Sequence, residues 1–233
     1  MSEERQPVAQ STHAAPSALY ISLRTMVIMM LFSIVFTALM AGTYLATKPL
    51  LDASARAEKM KLIGEVLPAD SYDNKLLEDA ITLSPQAALG LDSPSTAYRA
   101  RKRGQPVAVV IEAAAADGYS GHIGLILSVR ADGRLAAVRV TRHKETPGLG
   151  DYIDPKKDRN KKRPWITQFN NTGFDQIGEA DWKVKRDGGQ IDQMTGATIS
   201  ARAVTNATRK ALAWAGGHRE QLFATSTGAT FSE

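Results

Sequence analysis

Two short segments of the 233-residue chain combine glycine and polar residues in patterns that suit the binding of an anionic ligand. The first, residues 143–150, reads His-Lys-Glu-Thr-Pro-Gly-Leu-Gly and follows a stretch of strand-like composition. Gly148 and Gly150 permit positive φ and a close approach of the backbone, and Pro147 stiffens the turn. Such a loop can present backbone N–H groups to an anion or to the polar edge of a ring ligand. A sharp loop that only reverses the chain is the alternative.

The second segment, residues 192–198, reads Asp-Gln-Met-Thr-Gly-Ala-Thr and lies immediately before a predicted helix. The residues from 195 to 197 are small, so an enzyme or a bulky ligand could reach Thr198. A phosphate on Thr198 would lie near the unpaired N–H groups and the positive dipole end of that helix. The alternative is structural, because Thr195 or Thr198 could simply be the N-cap of the helix.

The tetrapeptide Thr-Gly-Ala-Thr occurs a second time, at residues 227–230. In this copy the position three before the first threonine is Ala224 rather than an acid, and no helix is predicted to follow. The tetrapeptide alone is therefore weak evidence. The acid and the following helix distinguish the first copy.

The composition excludes several other kinds of site. The chain has no cysteine, which excludes disulfides, Cys-ligated iron–sulfur clusters, thiol nucleophiles and zinc sites built on cysteine. The four histidines are far apart in the sequence, so we expect no metal site. The net charge of +5 is modest and lacks the density of a nucleic-acid-binding stripe, so we expect no nucleic-acid partner.

One basic segment stands out, with six cations within eight residues: Lys156, Lys157, Arg159, Lys161, Lys162 and Arg163. It could be a solvated loop, or a surface that meets anionic lipid headgroups or an acidic partner. The sequence leaves both interpretations open.

Residues 26–46 form an apolar run of 21 residues without a charged side chain. A helix of this length covers about 31 Å, which matches the hydrocarbon core of a membrane. A cleaved signal peptide would have an apolar region of only about 7–15 residues, so we predict an uncleaved transmembrane helix. Two cations precede the span and four follow closely, which would put the following domain in the cytoplasm, but this rule weakens for long domains.

The remaining pattern predicts an α+β fold with a mainly antiparallel sheet and flanking helices. We predict strands at 106–115, 122–130, 134–141 and 182–186, and helices from near Pro49 to 67 and at 199–215. The resulting organisation is a disordered tail at 1–20, the transmembrane helix at 26–46, one domain at 55–220 and a flexible tail at 221–233.

The residues Asp192, Thr195, Gly196, Ala197 and Thr198 resemble the acceptor sequence of bacterial flavin transferases, which attach FMN to a threonine through a phosphoester bond. The segment at 143–150 and the N-terminal span extend the likeness over about residues 20–215. The chain resembles the RnfG family, which belongs to the Rnf ion-translocating electron-transport complex. A related family in the sodium-translocating NADH:quinone reductase shares the FMN-binding domain. The family often has serine where this chain has Thr195.

The resemblance implies that Thr198 holds FMN covalently and that Asp192, Thr195, Gly196 and Ala197 form the recognition sequence. Because residues 143–150 directly follow a strand and contain two glycines, which favour a close backbone approach, we expect a second set of residues beside the FMN: Glu145, Thr146, Gly148, Leu149 and Gly150. Glu145, Thr146 and Leu149 are the expected direct contacts. No catalytic residue and no metal ligand is expected.

The implied function is a membrane-anchored electron carrier in a complex that couples electron flow between ferredoxin and NAD to ion transport. The implied partners are the other subunits of the complex and a periplasmic flavin transferase. The implied location is the bacterial inner membrane, with the N-terminus in the cytoplasm and the domain in the periplasm. The alternatives are the related subunit of the sodium-translocating quinone reductase and a flavin-free membrane-anchored assembly or signalling module.

Overall fold

The chain divides into two compact units, Met1–Arg56 and Ala57–Glu233. The computed structural model describes residues 18–232 of them. The disordered tail predicted at 1–20 therefore lies outside the described residues, except for its last three residues, which are helical.

A long helix, α1 (Ala18–Gly64), contains the predicted membrane span. Within the described residues it is the one helix that is long and apolar enough to cross a membrane, with a mean hydropathy of 2.2 over its most apolar stretch. The prediction of a separate helix beginning near Pro49 is wrong, because α1 continues through this residue. A proline removes one backbone donor from a helix, but the residues after it are mostly strong helix formers such as alanine, leucine, lysine and arginine.

The second unit contains a six-stranded sheet in the order β5-β4-β3-β2-β1-β6. Its strands are β1 (Ala80–Leu83), β2 (Ser95–Lys102), β3 (Gln105–Gly118), β4 (Gly121–Arg130), β5 (Leu135–Arg142) and β6 (Thr230–Phe231). All neighbouring pairs are antiparallel except β1 and β6, which are parallel. The predicted α+β class and the strands corresponding to β3, β4 and β5 are confirmed.

The sheet is covered on both faces, and alternate residues of β3 point to opposite faces. Val109 and Ile111 belong to the main core, which also contains much of helix α2 (Thr198–Gly217). Val110 faces a second, smaller core that includes Ile63. Packing on the main core fixes the position of α2, and with it the position of Thr198.

The strand predicted at 182–186 is wrong. The segment instead lies between two single-turn 3-10 helices, Glu179–Asp181 and Lys185–Asp187, and its last two residues belong to the second. The alternation that suggested a strand is real, since Trp182 and Val184 are fully buried. The backbone is satisfied by local turns, however, and by an isolated bridge between Val184 and Ile191.

The structure also differs from the flexible tail predicted at 221–233, because the tail contains the end of helix α3 (Arg219–Ala224) and strand β6. The buried guanidinium of Arg99 holds it by donating to the carbonyl of Leu222 at 3.1 Å, to the carbonyl of Thr225 and to the hydroxyl of Thr227 at 2.8 Å. Thr230 pairs with β1. The second Thr-Gly-Ala-Thr sequence thus has a structural role.

Candidate functional site

The two glycine-containing segments meet at a cleft of about 260 Å³. Six residues predicted to belong to the site line it: Glu145, Thr146, Leu149, Gly150, Gly196 and Ala197. Tyr119, Ile199 and Ser200 complete the wall. The structure therefore brings together segments that lie about 45 residues apart in the sequence, as the resemblance implied.

Glu145 joins three segments around this cleft. Its side chain is buried, and one carboxylate oxygen accepts a hydrogen bond from the backbone N–H of Ser120 at 3.0 Å. The other oxygen accepts from the hydroxyl of Ser200 in α2. Glu145 thereby ties its own loop to the turn between β3 and β4 and to the first turn of α2.

Gly150 allows the close contact between the loop and α2. A Cβ atom at this position would lie 2.6 Å from Oγ of Ser200 and 2.8 Å from Oε2 of Glu145. Both distances are shorter than a van der Waals contact. Only glycine fits without displacing the hydrogen bond between these two side chains.

Tyr152 fixes the turn that carries the acceptor sequence. It lies in the 3-10 helix Gly150–Ile153 and is buried. Its hydroxyl accepts from the backbone N–H of Met194 at 3.1 Å and donates to the carbonyl of Ala197 at 3.4 Å. Burial raises the pKa of Tyr152 above its usual value, so the phenol stays protonated and keeps its donor. Gly196, inside this turn, has a φ of +89°.

Thr198 is the first residue of α2 and is largely buried, with 8% of its surface exposed. The N-cap of α2 is Ala197, and among the described residues no side chain caps this helix. The structure therefore does not use Thr195 or Thr198 as an N-cap, which was the alternative explanation of the motif. The first N–H groups of a helix have no partner within it and favour an anion. An anionic group attached at Thr198 would have these donors nearby.

Four predicted site residues do not line the cleft: Gly148, Asp192, Thr195 and Thr198. Gly148 has a φ of +76° and donates its N–H to Asp151 at 2.9 Å, so its role is in the turn. Thr195 is exposed, and Thr198 lies between two residues that do line the cleft.

Asp192 lies beside a different cavity, of about 380 Å³, together with Arg163 and Trp165. The side chain of Asp192 is 69% exposed and pairs with Lys185 at 2.5 Å. Its backbone is held separately: the carbonyl accepts from Nε1 of Trp165 at 2.5 Å, and the N–H donates to Gln168 at 2.8 Å. The carboxylate thus faces solvent, where another protein could contact it.

The rim of the cleft is apolar. In the described part of the second unit, three large hydrophobic side chains are strongly exposed: Tyr119 at 67%, Leu149 at 50% and Ile199 at 43%. All three line this cleft. Strongly exposed hydrophobic side chains that cluster at one cleft mark a binding surface. The residues therefore fit a ligand that has a flat apolar ring and an anionic group.

Sequence reasoning missed Tyr119, Tyr152, Ile199 and Ser200. Ile199 and Ser200 follow the acceptor motif directly, and Tyr119 lies in a turn between two glycines. Only this adjacency to glycine or to the motif could have pointed to them.

The cleft is slightly smaller than the range of about 300–1,000 Å³ that is usual for small-molecule pockets. A flavin ring would therefore be only partly enclosed.

Comparison with known families agrees with this geometry. Residues 118–213 match the family model of the FMN-binding domain, and residues 22–66 match that of the RnfG N-terminal region. The first match contains the whole acceptor sequence and residues 143–150.

The chain is also similar to curated proteins that are each named as a subunit, designated G, of an ion-translocating oxidoreductase complex. The protein from Pseudoalteromonas atlantica is 41% identical over 199 residues, which cover 85% of this chain and 90% of the relative. The protein from Pseudomonas aeruginosa is 42% identical over 202 residues, with 87% and 92% covered. A Vibrio cholerae protein is 40% identical over 195 residues, with 84% and 90% covered.

Proposed function

Since the chain belongs to the RnfG family of ion-translocating oxidoreductase complexes, we propose that it carries FMN as a phosphoester of Thr198 and passes electrons between other redox groups of such a complex. It is an FMN-binding subunit of a membrane electron-transport complex with one N-terminal candidate transmembrane helix.

One observation carries the proposal: Thr198 begins α2 directly beside a cleft whose walls come from both glycine-containing segments. The acceptor hydroxyl and the binding surface are therefore parts of one structure. The unpaired N–H groups of the first turn suit the phosphate of the cofactor, and would stabilise it by roughly 0.3–1 kcal/mol. The exposed apolar side chains of Tyr119, Leu149 and Ile199 suit its ring.

The residues of the chain would bind and position the cofactor rather than react. When bound, FMN supplies one- and two-electron transfer, and the protein contributes position and electrostatics. Glu145 and Tyr152 hold the two segments together through their hydrogen bonds. Thr146 and Leu149 provide the wall beside them. A covalent bond keeps the cofactor in a cleft too open to retain it by enclosure alone.

The proposal includes the partners and the compartment. The other subunits of the Rnf-type complex would deliver and remove electrons, between ferredoxin and NAD overall. A flavin transferase would attach FMN, reading Asp192 and residues 195–197. The chain would lie in the bacterial inner membrane with its N-terminus in the cytoplasm and its second unit in the periplasm, where the transferase works.

The test is in-gel ultraviolet fluorescence of the denatured full-length chain, expressed together with the transferase. We expect a fluorescent band in the wild type and none in Thr198→Val, while Thr230→Val fluoresces normally. Thr230 is the matched control, because it ends the second Thr-Gly-Ala-Thr sequence and lies in β6. Peptide mass mapping should find FMN on the peptide that contains Thr198. A folded wild type without flavin would favour the flavin-free module instead.

A further inference from the structure

The loop of residues 154–163, called here the basic loop, has a high density of unpaired positive charge. All six of its cations are exposed. Among the described residues only Lys156 has a carboxylate partner, Glu65 at 3.7 Å. Lys161 and Arg159 donate to backbone carbonyls, of Lys156 at 2.8 Å and of Gly148 at 3.4 Å. The loop therefore keeps most of its charge available to another molecule.

The two acidic side chains in the basic loop are used to hold its backbone. Asp158 is buried and accepts from the N–H groups of Asn160 at 2.8 Å and Trp165 at 2.6 Å. Asp154 accepts from the N–H of Lys156 at 2.8 Å. These bonds fix the shape of the loop before any partner arrives, which reduces the ordering cost of binding.

The basic loop borders both parts of the candidate site. At one end Arg159 contacts Gly148, in the segment that forms the flavin cleft. At the other end Arg163 lines the second cavity, together with Trp165 and Asp192. A protein that covers the loop would therefore also cover the surroundings of Thr198.

We propose that the basic loop is the docking surface for an acidic face of another subunit, one that exchanges electrons with the flavin. This inference rests on the proposed electron-carrier function. The electrons that one redox group loses are those that the other gains, and this transfer requires the two groups to lie close together. A partner bound at a surface beside the cleft would bring its redox group close to the flavin. Electron-transfer contacts are often small, and charge complementarity guides them more than buried area does.

The surroundings of the loop favour a protein over a lipid surface. The cavity beside it is concave and is lined by Asp192 and Trp165, and the exposed carboxylate of Asp192 pairs with Lys185. The flat surface of a bilayer could not fill this cavity. A folded partner can place a cation opposite Asp192 and acidic groups opposite Lys157 and Lys162.

The test is zero-length carbodiimide crosslinking of the intact complex, which joins lysine amines to carboxylates in direct contact. We expect crosslinks from Lys157 and Lys162 to aspartate or glutamate residues of another subunit. We expect them to weaken as salt is raised, because screening shortens the range of exposed charges to about 8 Å at 0.15 M. Two exposed lysines outside the basic loop, Lys183 and Lys210, serve as internal controls.

A paired set of variants connects the contact to electron flow. Lys157→Glu/Lys162→Glu should slow the reduction of the flavin of this chain in the complex by about tenfold, since rim charges act mainly on association. Lys183→Glu/Lys210→Glu changes the formal charge equally and should leave the rate unchanged. Should the charge reversal impair folding, Lys157→Gln/Lys162→Gln removes the same amines with no new charge and should slow reduction less.

Three outcomes overturn the inference: crosslinks confined to Lys183 and Lys210, equal rates in all variants, or an effect that disappears when the complex is reconstituted in zwitterionic lipid. The last outcome would identify the lipid headgroups as the partner. In-gel fluorescence of the same samples separates the two proposals. A loaded chain without these crosslinks contradicts only the docking surface, whereas a chain without flavin contradicts the electron-carrier function.

Discussion

At Asp192 the proposed recognition by the flavin transferase can be tested separately from stability, because the side chain and the backbone make different contacts. Its carboxylate is exposed and pairs with Lys185, whereas Trp165 and Gln168 hold its backbone. Exposed ion pairs contribute about 0–1 kcal/mol. We therefore expect Asp192→Ala to reduce FMN loading strongly with little change in thermal stability.

The matched control is Lys185→Ala, which removes the same ion pair but leaves the carboxylate. Loading should stay normal in this variant, as measured by in-gel fluorescence per amount of protein. Normal loading in Asp192→Ala with the transferase present would mean that Asp192 has no part in recognition. Equal loss in both variants would mean that the ion pair, rather than the carboxylate, matters.

Glu145 is expected to stabilise the fold as well as the cleft. Glu145→Ala would leave the buried hydroxyl of Ser200 without its acceptor, and would also remove the acceptor of the N–H of the exposed Ser120. A buried group that loses its partner costs about 1–3 kcal/mol, so thermal unfolding of the full-length chain in detergent should show a clear loss of stability. Glu145→Gln should recover most of it, because the amide offers an acceptor to Ser120 and a donor to Ser200. Equal stability of Glu145→Ala and the wild type would contradict this role.

The sequence could predict a site residue only where the type of that residue and its neighbours already indicate a chemical role. This holds for residues 192–198, with their acid, small residues and threonines, and for the glycine-containing loop at 143–150. It does not hold for Tyr152, because a tyrosine whose hydroxyl clamps a turn 42 residues later looks like any core tyrosine. Tyr119 is visible as a site residue only through its exposure in the fold.

At the scale of elements, the position of the C-terminal segment should depend on the charge cluster formed by Asp79, Arg99 and Arg101, because Arg99 also bonds to that segment. Burial raises the pKa of Asp79, but the hydrogen bonds and charges of Arg101 and Arg99 outweigh it and hold this pKa below its usual value. A depressed pKa in the folded state stabilises the protein above the unfolded pKa of about 3.9, and this contribution is lost as pH falls through the folded value.

We therefore expect Asp79→Asn to lower stability at neutral pH by about 1.5–3 kcal/mol, the range for hydrogen bonds to charged groups. The stability of the variant should also fall less steeply in acid, below about pH 4. Thermal unfolding as a function of pH measures both effects. Asp175→Asn serves as the control. It breaks the ion pair between Asp175 and Arg134, but the side chain of Asp175 is 51% exposed, so we expect little effect on stability. Identical pH profiles for the wild type and Asp79→Asn would show that the cluster does not anchor the tail.

The elements that the sequence predicted well are those whose stability comes from their own pattern. Strands β3, β4 and β5 are long, rich in branched residues and adjacent in the chain, so alternation and turn residues were sufficient. Strand β6 has two residues and exists because β1 and Arg99 provide partners far away in sequence. The segment at 182–186 alternates like a strand but satisfies its backbone locally. The existence of β6 depends on tertiary contacts that no local window contains, whereas the 182–186 segment differs because local turns replace strand pairing.

At the scale of the whole molecule, the orientation in the membrane is where two lines of reasoning disagree. Counting lysine and arginine near the apolar run gives Arg5 and Arg24 before it and four cations after it: Lys48, Arg56, Lys59 and Lys61. This count favours a cytoplasmic second unit. About 187 residues follow the run, however, and domains of this length translocate largely regardless of flanking charge.

The proposed attachment of FMN to Thr198 favours a periplasmic second unit. Under this proposal Thr198 receives FMN in the compartment where the transferase works, which the resemblance implies is the periplasm. The absence of cysteine is compatible with an oxidising compartment. We therefore expect a phosphatase reporter fused after Glu233 to be active and a cytoplasm-dependent fluorescent reporter at the same position to be dark. The reverse pattern would place Thr198 out of reach of the transferase, and would contradict both the orientation and the covalent flavin.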